Sequence, residues 1–288
     1  MYRKPNWSRE GIDWPLREAS QFINAGGINW HFQLLGSGPV VLLLHGTGAA
    51  THSWHKLVPL LATKYTIIAL DLPGHGFSGT PNGDGLSLPG MAMLISALLF
   101  KLDVAPVAII GHSAGAALGA ELILANQRDV SHLIAINGAF KPFAGLAAHT
   151  FPAFAKAIAL NPLTIFALAS GGGDKARIEK LMAGTGSKLD ARSLDLYARL
   201  FATPGHVAGV MGMMARWELG KLAPRLAQLT VKTTFIVGSN DLTISPEVSA
   251  DVAKVVPSAK LVRLEGLGHL AHEEDPQGVA RAVFAALE

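Results

Sequence analysis

Apolar and polar positions fall in blocks along this chain, and the blocks read as alternating strands and helices. After a polar, Trp-bearing lead of about 18 residues, Ser20–Asn24 and Asn29–Leu35 flank Ala25-Gly26-Gly27, a hairpin signal. Gly36-Ser37-Gly38-Pro39 is a turn. Val40–Leu44 is a continuous apolar run, the signature of a parallel strand buried on both faces. It stops at His45-Gly46-Thr47-Gly48, and a helix is expected over Trp54–Ala62. Thr66–Leu70 (strand), Asp71-Leu72-Pro73-Gly74-His75-Gly76 (loop), Leu88–Leu102 (helix), Val107–Ile110 (strand), Ala116–Leu124 (helix) and Leu133–Ile136 (strand) follow. This order implies a parallel sheet with right-handed crossovers.

The rhythm breaks after the sixth strand position. From 139 to 220 there is no strand signal, only apolar helical pieces interrupted by Asn161-Pro162, Gly171-Gly172-Gly173 and Thr203-Pro204-Gly205. It resumes with strand Thr234–Val237, a helix near Pro246–Val255, strand Leu261–Leu264 and a last helix, Gly278–Leu287. The expected architecture is α/β: a mostly parallel twisted sheet with helices on both faces, formed by residues 1–138 and 221–288. A helical cap, 139–220, is inserted after the sixth strand, over the sheet edge where open α/β sheets place ligands.

Composition narrows the function classes. Half of the 288 residues are hydrophobic, only 16% are charged, and the net charge is +3 with Lys and Arg scattered, so nothing asks for nucleic acid. A positive mean hydropathy leaves apolar surface for a greasy pocket or a membrane-adjacent face. With no Cys, thiolate catalysis and thiolate metal sites are excluded. The eleven His show no HExxH or similar spacing, so neither metal nor cofactor is expected. The polar N-terminus does not read as a signal peptide. Long uncharged stretches, 85–100 and 157–173 among them, are broken by Gly, Pro, Ser or Asn, so no transmembrane segment is expected and cytoplasmic location is the default, with peripheral membrane association as the variant.

Gly111-His112-Ser113-Ala114-Gly115 lies between an apolar strand and a small-residue helix, the setting a nucleophile elbow needs. The turn at Ser113 is so tight that side chains two residues before and after it would collide, which Gly111 and Gly115 avoid. The bland alternative is a turn with a capping Ser. A nucleophilic Ser needs a base, and the base an orienter. Strand exits supply both: Gly238-Ser239-Asn240-Asp241 carries Asp241, and Glu265-Gly266-Leu267-Gly268-His269 carries His269. Asp241 also suits a helix cap, with Asp251 and Glu265 as reserve acids, and His272 competes with His269. Asn137, at the sixth-strand exit, is an amide and cannot be an anionic orienter. For the oxyanion, the Ala114 N–H is one donor and the Thr47 N–H, in the turn with Gly46, the other. His45 and His75 read as turn-stabilising histidines.

These pieces, Val40-Val41-Leu42-Leu43-Leu44-His45-Gly46, Asp71-Leu72-Pro73-Gly74-His75-Gly76, Gly111-His112-Ser113-Ala114-Gly115, Gly238-Ser239-Asn240-Asp241 and Gly268-His269, together resemble the α/β-hydrolase superfamily. A narrower resemblance, carried by 45–54, Leu86-Ser87-Leu88-Pro89-Gly90-Met91, Asn137-Gly138-Ala139 and 266–274, is to the BchO branch, magnesium-chelatase accessory proteins of bacteriochlorophyll biosynthesis. That branch implies a link to magnesium insertion into protoporphyrin and a functional association with magnesium chelatase.

Ser rather than Asp at the elbow argues against haloalkane dehalogenase and epoxide hydrolase chemistry. Hydrolysis of an ester, lactone, thioester or amide remains, as does C–C bond hydrolysis. His112, Phe140, Phe143, Met213, Met214, Trp217 and Leu270 are candidate pocket residues for a small hydrophobic substrate, a tetrapyrrole among the options. A non-catalytic accessory that binds or presents a porphyrin is the reading from a different class.

Overall fold

Every second residue of β3 (Val40–Leu44) faces a different half of the interior. Leu42 and Leu44 pack with the cluster containing Ile68, Leu70, Ile109 and Leu133, whereas Val41 and Leu43 join Ile67, Ala69, Ile110 and Ile134. A strand apolar on both faces must be covered twice, so helices lie on both sides of the sheet. The computed structural model describes residues 2–125, 130–141 and 161–288. It contains one eight-stranded sheet built from β1 (Ser20–Ala25), β2 (Ile28–Leu35), β3, β4 (Thr66–Leu70), β5 (Ala108–His112), β6 (His132–Ile136), β7 (Lys232–Gly238) and β8 (Ala259–Leu264). The order across the sheet is β1-β2-β4-β3-β5-β6-β7-β8. β2 is antiparallel to both its neighbours and all other pairs are parallel.

Local chemistry explains most boundaries. The β1–β2 register pairs Ala25 with Ile28, leaving Gly26 and Gly27 as a two-residue turn with φ of 59° and 82°. Two positive φ values define the primed turn that matches strand twist. The single helix expected over 54–62 is instead a 3-10 turn, Thr51–Trp54, followed by a short α1, Val58–Leu61. Pro59 is the reason: it lacks an N–H and is tolerated only in a first turn, so the helix restarts just before it. On one face of the sheet lie α2 (Leu88–Leu102) and α3 (Ala114–Leu124), through Met91, Ile95, Leu98 and Leu118. On the other, α1 and α11 (Pro276–Leu287) bury Leu61, Val279 and Val283.

Between β6 and β7 the described residues form no strand. They run through α4 (Pro162–Gly172), α5 (Lys175–Ala183), α6 (Ala191–Phe201), α7 (Pro204–Met214) and α8 (Leu219–Leu222). Asn161, Asp174 and Asp190 cap α4, α5 and α6 with side-chain oxygens. After β7 come α9 (Pro246–Ala253) and, beyond β8, α10 (Ala271–Glu274). The polar lead is not a loose tail. Trp14 Nε1 donates to Thr51 Oγ1 at 3.0 Å, and Asp13 pairs with Arg192 and Arg199 of α6. Arg3 O accepts from Gly205 N at 2.8 Å, so the lead bridges the sheet domain and the inserted helices.

Candidate active site

Ser113 stands between β5 and α3 with φ 51° and ψ −115°, a strained conformation for a residue with a Cβ. Such strain costs on the order of 1–3 kcal/mol and persists only where surrounding structure dictates it. A Cβ on Gly115 would lie 1.9 Å from Leu44 O, and one on Gly111 would lie 2.4 Å from Ala116 N. No other residue fits either position. The elbow is held from the neighbouring strand: Ser113 N donates to Ile136 O at 2.9 Å and Ser113 O accepts from Ala139 N at 3.0 Å.

Asp241 follows β7, and its two oxygens have different partners. Oδ1 accepts from Thr243 N and Ile244 N, each at 2.8 Å, and Oδ2 lies 2.7 Å from His269 Nδ1. Capping a turn and meeting the histidine are therefore simultaneous. With its Nδ1 proton directed at Asp241, neutral His269 carries its lone pair on Nε2. Ser113 and His269 line the same cavity; among the described residues the Ser113 hydroxyl has no hydrogen-bond partner. Asp251 is instead exposed, paired with Lys254 and Lys141, and Glu265 is exposed. His272 is wedged between the rings of Trp54 and His112, 4.5 Å from each, away from the cavity wall. Burial pushes it down to about 3, so it is neutral.

Gly46, Thr47 and Ala114 line the cavity beside Ser113. Neither the Thr47 nor the Ala114 N–H donates to a protein acceptor among the described residues, and the Ala114 N–H opens α3, where the helix dipole favours negative charge. His45 shapes this turn: its Nδ1 lies 2.7 Å from Gly46 O and its Nε2 accepts from Leu72 N at 3.0 Å. Burial pushes it down to about 4, which keeps Nε2 an acceptor. His75 lies with Nδ1 3.2 Å from Pro73 O.

The cavity has a volume of about 640 Å³, within the usual range for small-molecule sites. His112, Met213, Met214, Trp217 and Leu270 lie in its wall. Phe140 does not, contrary to expectation: it is fully buried and meets Phe235 edge-on, with ring centroids 5.6 Å apart. Having no Cβ, Gly138 leaves room for that ring to turn into the core. Phe143 lies outside the described residues. Met182, Tyr197 and Phe201 also line the cavity. Nothing in the apolar stripe of α6 marks which members turn to a ligand and which to the core. Among the described residues no group of three or more His, Cys, Asp or Glu could hold a metal ion, and no helix is long and apolar enough to cross a membrane.

Known proteins share this architecture. The family profile described as alpha/beta hydrolase fold matches residues 39–276. The magnesium-chelatase 30 kDa subunit of Rhodobacter capsulatus is 39% identical over 278 residues, covering 96% of this chain and 97% of that protein. A solved α/β hydrolase fold protein from Burkholderia ambifaria superposes with a TM-score of 0.79 at 22% identity, covering 99% of this chain and all of that one. A thermophilic esterase from Thermogutta terrifontis gives 0.74 at 22% identity, over 93% and 97% of the two chains, a likeness of fold alone. The chain therefore belongs to the α/β-hydrolase family, and along nearly its whole length it is similar to the magnesium-chelatase 30 kDa subunit.

Proposed function

We propose that the protein is a serine hydrolase acting on a hydrophobic, ester-like substrate, with Ser113 as nucleophile, His269 as base and Asp241 as its orienter. The 2.7 Å contact of Asp241 Oδ2 with Nδ1 of His269, which lines the same cavity as the strained Ser113, carries this reading. Ser113 Oγ attacks the ester carbonyl while His269 Nε2 takes its proton, and Asp241 stabilises the imidazolium. The Thr47 and Ala114 N–H groups hold the oxyanion of the tetrahedral intermediate. Collapse expels the alcohol, which leaves with the proton from His269, and forms an acyl ester on Ser113. Water, activated by the same His269, then releases the acid and restores Ser113. General-base help contributes about 10²–10⁴ in rate and one oxyanion donor about 10²–10³.

Residues 139–220 act as the cap of this site over a core of 1–138 and 221–288, and Met182, Met213 and Met214 supply an adaptable wall. A planar, greasy substrate such as a tetrapyrrole ester suits it. Similarity to a protein named as a magnesium-chelatase subunit supports functional association with magnesium chelatase. We place that role in bacteriochlorophyll biosynthesis, in the cytoplasm or at a membrane surface. The same name favours a second reading, in which the fold binds or presents a porphyrin to the chelatase without catalysis.

Labelling with a fluorophosphonate probe, wild type beside Ser113→Ala, separates the two. Labelling and p-nitrophenyl acetate and butyrate turnover that vanish together in the variant are expected. An unlabelled wild type that binds protoporphyrin would replace the hydrolase reading with the accessory one.

A further inference from the structure

Asn137 ends β6 with φ 47°, in the left-handed region that Asn reaches more readily than most residues because its side chain can bond locally. Both amide protons and the oxygen are engaged. Oδ1 accepts from Gly238 N at 2.9 Å, while Nδ2 donates to Gly268 O at 3.0 Å and to His269 O at 2.8 Å. Backbone partners of known polarity leave only one orientation of the amide, with nitrogen toward the two carbonyls and oxygen toward the N–H. Gly238 is the last residue of β7, three before Asp241, and Gly268 and His269 belong to the loop after β8. One side chain thus ties the strand end that carries the acid to the loop that carries the base.

The flanking backbone ties in the nucleophile. Ile136 O accepts from Ser113 N at 2.9 Å, Ala139 N donates to Ser113 O at 3.0 Å, and Asn137 N donates to Ile236 O at 2.9 Å. His112, next to the nucleophile, has Nε2 2.9 Å from the same His269 carbonyl. Asn137 itself is 1% exposed and is not in the cavity wall, so it acts through other residues.

We propose that Asn137 is a positioning residue whose amide sets the placement of His269 against Asp241 and Ser113. Its kinetic consequence rests on the serine-hydrolase reading, whereas its geometric consequence does not. The chemistry demands an amide: the site needs two donors and one acceptor in a single planar group. A carboxylate would set its oxygen against two carbonyl oxygens. A base displaced by about 1 Å costs on the order of 10²-fold in rate, which is the size of effect at stake.

The test uses Asn137→Gly, which removes the amide and keeps the left-handed backbone free of strain. The far-downfield Nδ1 proton of His269, assigned by its absence in His269→Gln, reports the contact with Asp241 by NMR without any substrate. In folded Asn137→Gly that signal is expected to vanish or broaden. The kcat for p-nitrophenyl butyrate falls about 10–100-fold, with KM within about threefold, and the acid limb of the kcat/KM profile moves. A merely structural role would lower activity only in proportion to unfolded protein, leaving KM and the pH profile where they were.

A folded variant with the wild-type signal and wild-type kcat overturns the proposal, and so does a wild type lacking the signal. A wild type with the signal but no fluorophosphonate labelling sinks the hydrolase reading alone, and the NMR comparison still decides the role of Asn137. If Asn137→Gly does not fold, Asn137→Asp keeps the size and the acceptor for Gly238 while removing the amide donors, and is held to the same readouts.

Discussion

His269 Nδ1 lies 2.7 Å from Asp241 Oδ2, with the carboxylate side chain fully buried and the imidazole side chain 8% exposed. Charge-assisted hydrogen bonds of this kind are short and strong, and a low-dielectric setting makes their direction matter more. Asp241→Asn keeps an acceptor for Thr243 N and Ile244 N but takes away the negative charge. On the serine-hydrolase reading, kcat is expected to fall by about 10³–10⁴, the scale seen when a triad acid becomes an amide. Turnover of p-nitrophenyl butyrate checks this, with thermal melting to show that the fold survives.

The elbow glycine offers a test of packing. In Gly115→Ala the new methyl would meet Leu44 O at 1.9 Å, and backbone on a central strand cannot move aside cheaply. Overpacking of this kind costs about 1–3 kcal/mol or more. Urea denaturation would register the loss, and a variant as stable as the wild type would mean that the turn is looser than described.

Met213 is 1% exposed and lies in the cavity wall. Met213→Ala should cost about 2–5 kcal/mol of stability and open space for a longer chain. On the serine-hydrolase reading, preference across p-nitrophenyl acetate, butyrate and octanoate should shift toward the longer esters by roughly 10-fold or more, since one methylene in an apolar pocket is worth about 1–3 kcal/mol. An unchanged ranking would place the acyl chain elsewhere in the cavity.

Glu273 sits below Tyr197, whose hydroxyl donates to Oε1 at 2.7 Å, and burial pushes this carboxyl up to about 8 from its ordinary 4.5. The folded chain keeps the proton where the unfolded chain sheds it, so this group makes stability decline as pH rises from 4.5 to about 8. Glu273→Gln stays neutral and removes that slope. Urea melts at about pH 5 and about pH 8 should show the variant gaining on the wild type at the higher value.

Buried histidines act in the opposite direction. Burial pushes His45 down to about 4 and His206 and His272 to about 3, each from 6.5. The unfolded chain binds these protons first, so the stability the neutral rings contribute is present above 6.5 and is lost as pH falls toward 3. Stability measured in steps down from neutral pH is expected to drop over that window. His272→Phe, which cannot take up the proton, should make the drop shallower.

Much of the fold was legible because its determinants are local. Val40–Leu44 reads as a doubly covered strand from its own composition, and Ala25-Gly26-Gly27 reads as a hairpin connection, which the structure narrows to a two-residue turn at Gly26 and Gly27. The same holds for one side of the elbow, since Gly111 is required by Gly115 and Ala116 of the turn itself, whereas Gly115 is required by Leu44 O on the neighbouring strand. Asp241 and His269 could be singled out by position alone, since both stand just past a strand end.

Only the tertiary structure decided distances between segments far apart in the chain. Phe140 and Met213 look equally eligible for a pocket in sequence, yet one turns into the core beside Phe235 and the other stays in the cavity wall. Tyr197 sits in an ordinary amphipathic stripe, and Asn137 was noticed only for what an amide cannot do, not for the three backbone groups it gathers. In sequence the polar lead shows no partner, and only the tertiary structure brings Asp13 to Arg192 and Arg199. Periodicity tells which side of an element is apolar. It does not tell what that side faces, because that depends on packing among elements far apart in the chain.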